Sequence, residues 1–146
     1  MRIDLDYIRQ LLAVFLNSET AHIDFYSFPK GGVEYVNPET KDLDEKFLFH
    51  FQLLAENNLI SNRNMDSYDL KSLGLSFGLG GDCVLSIVPL RLTQAGHDFA
   101  LSLNEPDVFE TLKENFSNKP LETIYATGQE LLKHYAKKKL DALLSE

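Results

Sequence analysis

Apolar residues recur at three-to-four spacing in the first segment of the chain, at Leu5, Ile8, Leu12, Phe15 and Leu16. Asp4 and Asp6 stand where a helix start needs acceptors for its free amides and negative charge for its dipole. The spacing predicts a helix ending near Asn17 to Thr20. From His22 to Val36 the residues turn β-branched and aromatic, Ile23-Asp24-Phe25-Tyr26-Ser27-Phe28 and then Val33-Glu34-Tyr35-Val36, on either side of Pro29-Lys30-Gly31-Gly32. That composition predicts a hairpin, or one strand followed by a tight excursion. Asn37-Pro38-Glu39-Thr40 breaks it. Helical periodicity returns from about Leu43 to Asn57, where Leu43, Phe47, Phe51 and Leu54 make one stripe and Leu48 widens it. Asp42 or Asp44 would cap its start, and the Asn57-Asn58 pair offers a left-handed close.

Leu59 and Ile60 open a strand, Ser61 to Tyr68 is polar and irregular, and a glycine-punctuated stretch follows from Leu70 to Leu79. Gly80-Gly81 reads as a hairpin turn, with Val84 to Leu92 as the returning strand. Thr93 is placed to cap a helix from Gln94 to about Leu103. Pro106 sits where its missing amide is harmless, in the first turn of another helix carrying Val108, Leu112 and Phe116. Pro120 opens the last helix, in which Ile124, Leu131, Leu132 and Tyr135 lead to Leu140, Leu143 and Leu144. The order is α+β. It is that of a winged helix-turn-helix without a clear separate middle helix: a core over 1–103 with a small antiparallel sheet, and a C-terminal helical extension over 104–146 packed on the same domain.

The chain is 146 residues long, of one-domain size, and its 44% hydrophobic and 25% charged content is that of a globular protein. No apolar run approaches a membrane span. The N-terminus, Met1-Arg2-Ile3-Asp4-Leu5-Asp6, has acids where a signal peptide carries basic residues, so the expectation is a cytoplasmic protein. The formal charge of −8 changes the functional picture most, because DNA binding requires a positive surface that displaces the counterions on phosphate. An acidic chain favours partners that are proteins or basic surfaces.

Three stretches carry a resemblance. They are Met1-Arg2-x-Asp4-x-Asp6-x-Ile8-Arg9, then His50-x-x-Leu53-Leu54-x-x-Asn57-x-Leu59-Ile60, then Arg91-Leu92-Thr93-x-x-Gly96-His97-x-Phe99. Together the sequence resembles a bacterial and phage family known as the domain of unknown function numbered twenty-five thirteen. The resemblance spans most of the chain apart from Ile23 to Thr40 and the glycine-rich insertion. Members often have Trp where this chain has Gln94 and Gly where it has Asn58. It implies a winged-helix-like fold and a bacterial or prophage origin, and it brings no catalytic residues.

The candidate chemistry is sparse. His22, His50, His97 and His134 are too dispersed for any metal-ligand spacing. His50 and His97 are read as structural, each tying its helix to a neighbouring backbone carbonyl, with a ligand or proton-transfer role as the alternative. The lone Cys83 excludes an internal disulfide and reads as a small buried or half-buried thiol. Gly74 to Gly81 lacks the Gly-Lys-Ser/Thr ending of a phosphate loop and reads as a wing. No cofactor fingerprint is present, and no enzyme activity is expected.

For DNA, the reader would be the helix from Leu43, with Lys41, Lys46, Arg63 and Lys71 as the nearby cations. Asp42, Asp44 and Glu45 at its start would repel phosphate. Lys137-Lys138-Lys139 complements the negative end of the last helix, whose apolar stripe would cover the core or pair with a second copy as a homodimer. The fold analogy points to a DNA-binding regulator. Charge points to the alternative, a protein-interaction module that keeps the winged-helix frame without binding DNA.

Overall fold

The computed structural model describes residues 1–145 as an α+β fold. Helix α1 (Leu5–Leu16) starts where the pattern placed it, with the Asp4 side chain accepting the Tyr7 amide and Asn17 as C-cap. Its buried residues are Leu5, Ile8, Leu11, Leu12 and Val14.

The aromatic stretch after His22 does not form a hairpin. Ile23 makes a single antiparallel bridge to Leu90, and the chain then winds into a short helix, α2 (Ser27–Lys30). Local bonding explains the difference. The Asp24 side chain accepts the Tyr26 amide and its carbonyl accepts the Ser27 amide, which turns the backbone before a strand can extend. That turn puts Phe25 and Phe28, three residues apart, into one cluster with Tyr35, Phe47 and Phe51. Alternation would have sent those two rings to opposite faces.

Helix α3 (Glu45–Glu56) is capped by Asp44, whose carboxylate accepts the Phe47 amide, while Leu43 lies outside the helix and bridges Val36. It closes through Asn57 and through Asn58, at φ +56°. Strand β1 (Ile60–Asn62) leads to a 3-10 turn at Lys71–Leu73 and the hairpin of β2 (Leu75–Phe77) and β3 (Cys83–Leu85), turned by Gly81 at φ +83°.

The expected long returning strand is split. β3 pairs with β2, whereas β4 (Leu90–Leu92) pairs antiparallel with β1, in the register Ile60 to Leu92. The break falls at Ser86 to Pro89, where Pro89 has no amide to give a ladder and its carbonyl accepts the Arg63 amide instead. β4 therefore lies between β1 and the Ile23 bridge.

Helix α4 (Gln94–Asn104) is capped by Thr93, α5 (Pro106–Asn115) has Pro106 in its first turn, and α6 (Leu121–Leu144) follows Pro120. One apolar core runs from Leu5 to Ile124 and includes Leu103, Val108, Leu112 and Leu121. Beyond Gly128, α6 buries no residue, and Leu140, Leu143 and Leu144 are exposed. No helix among the described residues is long and apolar enough to cross a membrane.

Candidate functional site

The three stretches that carry the sequence resemblance meet in space, and Asp4, His50 and Thr93 among their polar residues join helices. The His50 ring is fully buried. Its Nδ1 lies 2.7 Å from the Lys46 carbonyl, to which it donates, and its Nε2 accepts the Asp4 amide at 2.9 Å. That is one donor and one acceptor, the neutral imidazole. Burial pushes the pKa of His50 below its ordinary value, against the smaller opposing pull of the Lys46 carbonyl. His50 thus bonds a carbonyl of its own helix where the sequence pointed to a neighbouring one, and it is the other ring nitrogen that reaches out, to hold the start of α1.

Around it, Lys46 Nζ pairs with the Asp4 carboxylate at 2.8 Å and lies over the Tyr7 ring. The Lys46 bond, with help from the Tyr7 amide and against partial burial, holds the Asp4 carboxyl below its usual range. Tyr7 packs its ring 4.8 Å from that of His50, but its hydroxyl is buried without a hydrogen-bond partner. Burial, then the nearby Asp44 charge, pushes its pKa up to about 12. A buried hydroxyl that bonds nothing costs about 1–3 kcal/mol. Tyr7→Phe is therefore expected to leave thermal stability unchanged or raise it by up to about 1 kcal/mol, as thermal denaturation would report.

The third stretch clamps α4 onto the end of α3. The Thr93 hydroxyl donates to the Asn58 carbonyl at 2.6 Å and accepts the Gly96 amide at 3.0 Å, while the Thr93 amide donates to the Leu59 carbonyl. Gly96 is buried directly against that carbonyl, leaving no room for a Cβ. Thr93 and Gly96 are accordingly framework residues.

His97 departs from expectation. Its ring is exposed and makes no hydrogen bond among the described residues. It lies instead on a cleft of about 390 Å³ shared with Arg91 and His22. Arg91 reaches this face because Leu90 and Leu92 take the core side of β4. Sequence reasoning missed His22. The only available signal was its position just before Ile23, and the pairing of Ile23 with β4 could not be foreseen from a local pattern.

The nominated DNA contacts occupy four separate segments. Lys41 is exposed in the loop before α3 at φ +64°, Lys46 is engaged by Asp4, Arg63 follows β1 and Lys71 opens the 3-10 turn. Cys83 on β3 is half-buried, and burial, then Asp82, raises its pKa, which keeps the thiol protonated and a poor nucleophile. Among the described residues no group of His, Cys, Asp and Glu is arranged to hold a metal ion. Comparison of the chain with protein-family models, with curated proteins and with solved structures finds no match.

Proposed function

We propose that this chain is a protein-interaction module built on a winged-helix frame and that it does not act through DNA. The frame is supported by the order α1, Ile23 bridge, α2, α3, β1, hairpin, β4, with β4 between β1 and Ile23, so that β2 and β3 form the tip of a wing. In that frame α2 is the middle helix that the sequence pattern did not show. Kinship with the family numbered twenty-five thirteen fits the same frame, since Asp4, His50, Thr93 and Gly96, which help carry the resemblance, join α1, α3 and α4 to one another.

The observation that carries the functional reading is the want of free positive charge on both elements that would face a duplex. The single cation of α3, Lys46, is bound to Asp4, while Glu45 and Glu56 stand exposed. Between Ser72 and Leu90 there is no Lys or Arg, and the only charge is Asp82. A wing that met phosphate would need cations there. This one exposes Phe77, Leu79, Val84 and Ile87, a surface that loses nothing by leaving water against another apolar surface. The bare outer half of α6, with Leu140, Leu143 and Leu144, supports the same reading, and a second copy of the chain is one partner it would accept.

The test is the fluorescence anisotropy of labelled mixed-sequence duplex DNA titrated with the protein at low and at near-physiological salt. No binding is expected at either. Binding that weakens steeply with salt would overturn the reading in favour of a DNA-binding regulator.

A further inference from the structure

The cleft between the end of α1, the Ile23 segment, β4 and the start of α4 differs in charge from the rest of the molecule. With 22 acidic and 14 basic residues, the chain offers a basic side chain many possible acidic partners. Arg91 is half-buried, yet none of the ion pairs among the described residues involves it. Arg91 lines the cleft together with His22 and His97, and no Asp or Glu is among its lining residues. The nearest acid in sequence, Asp98, is occupied by the Gln94 amide at 2.9 Å. The hydroxyls of Thr20 and Thr93 are also spent, on the His22 and Asn58 carbonyls. The polar cleft side chains without a hydrogen-bond partner among the described residues are thus an arginine and two imidazoles. α4 also begins at this edge, with the positive end of its dipole.

The floor is different. Phe15, Leu16, Ile23 and Leu92 give the cleft an apolar side, and about 390 Å³ is room for a small organic molecule. We propose that this cleft binds a small organic phosphate, its phosphoryl oxygens on Arg91, His22 and His97 and its carbon portion on the apolar floor. Arginine presents paired N–H groups that match phosphate oxygens, and the imidazoles add single donors at the rim. The proposal is independent of the protein-interaction reading, since it uses neither the wing nor the outer half of α6.

The histidines supply their own controls. The ring C–H resonances of His22, His50, His97 and His134 would be followed by NMR while phenyl phosphate is added at constant ionic strength. His22 and His97 are expected to shift saturably with a submillimolar dissociation constant, while buried His50 and distal His134 stay in place. Inorganic phosphate should bind more weakly, for want of the apolar contact. Arg91→Gln, checked for an intact fold by circular dichroism, should weaken phenyl phosphate by about tenfold or more, the loss expected of a charged hydrogen-bond pair. His97→Gln, at an exposed position, serves as a second variant and should weaken it by a smaller factor. No shift at millimolar phenyl phosphate, an equal shift at His134, or unchanged affinity in both variants would overturn the proposal. Equal affinity for inorganic phosphate would overturn its assignment to an organic ligand.

Discussion

Replacing Gly96 with alanine is expected to destabilise the protein by about 3 kcal/mol or more, at the upper end of what overpacking a core costs. An added Cβ would overlap the Leu59 carbonyl, which is backbone and therefore cannot rotate away. Relief requires α4 to move off the end of α3. That movement would also break the bonds of the Thr93 hydroxyl to the Asn58 carbonyl and the Gly96 amide and the bond of its amide to Leu59. Urea denaturation followed by circular dichroism would show the loss as a fall in midpoint. Thr93→Ala should cost only about 1 kcal/mol, the worth of a helix cap. A Gly96→Ala variant as stable as the parent chain would mean that α4 does not approach the Leu59 carbonyl this closely.

The second large effect is at His50. Truncation to alanine removes a fully buried ring and leaves the Asp4 amide without its acceptor, so His50→Ala should lose about 2–5 kcal/mol. His50→Gln should lose less, because its side-chain carbonyl restores an acceptor near the Nε2 position.

The pH dependence separates polar bonding from mere packing. The folded state holds His50 neutral, with a pKa below the ordinary 6.5, so at pH values under 6.5 the unfolded chain binds more protons than the folded one. Stability is then fully present above about pH 6.5 and falls as the pH drops toward the folded-state pKa, by at most about 1.4 kcal/mol per unit. Asp4 acts in the same direction at lower pH. Its folded pKa is below 3.8, and its contribution is present above that value and is lost as the pH falls through the folded pKa. Urea midpoints measured between neutral pH and pH 5 should decline in the parent chain and stay flatter in His50→Gln. Parallel declines in both would remove His50 as the cause.

What was legible in the sequence was what local chemistry decides. Asp4, Thr93 and Pro106 mark helix starts because a free amide wants an acceptor, or its absence, at a fixed offset, and all three do so in the structure, while of the two candidates before α3 it is Asp44 that caps. Asn58 takes the left-handed conformation that closes α3 for the same local reason. The failures lie where two solutions share one composition. Phe25, Tyr26 and Phe28 satisfy strand propensity while Asp24 can turn the backbone just before them, and composition does not show that the turn wins by letting Phe25 and Phe28 pack together against α3. The continuous run from Val84 to Leu92 likewise hides the fact that its two ends serve different partners.

At the candidate site the motif residues were visible but their tasks were not. Arg91, Thr93, Gly96 and His97 are consecutive or nearly so, yet Thr93 and Gly96 fasten α4 to α3 whereas Arg91 and His97 face a cleft. Strand parity assigns Arg91 to the outer face. The cleft itself depends on His22 lying alongside β4, a long-range pairing that a reading of neighbours along the chain does not supply.

The turn at Gly80-Gly81 is fully exposed and lies at the tip of a hairpin whose strands are only three residues each. A single backbone cut there would divide the chain into a piece holding α1 to α3 with β1 and a piece holding β4 with α4 to α6. Those pieces remain joined across the β1–β4 ladder, through the Thr93 clamp and through a core to which both contribute. The nicked molecule would therefore keep its shape as a two-fragment complex. The same loop is also the natural place for new chain ends in a circularly permuted version or for a reporter domain inserted without disturbing α1, α3 and α4.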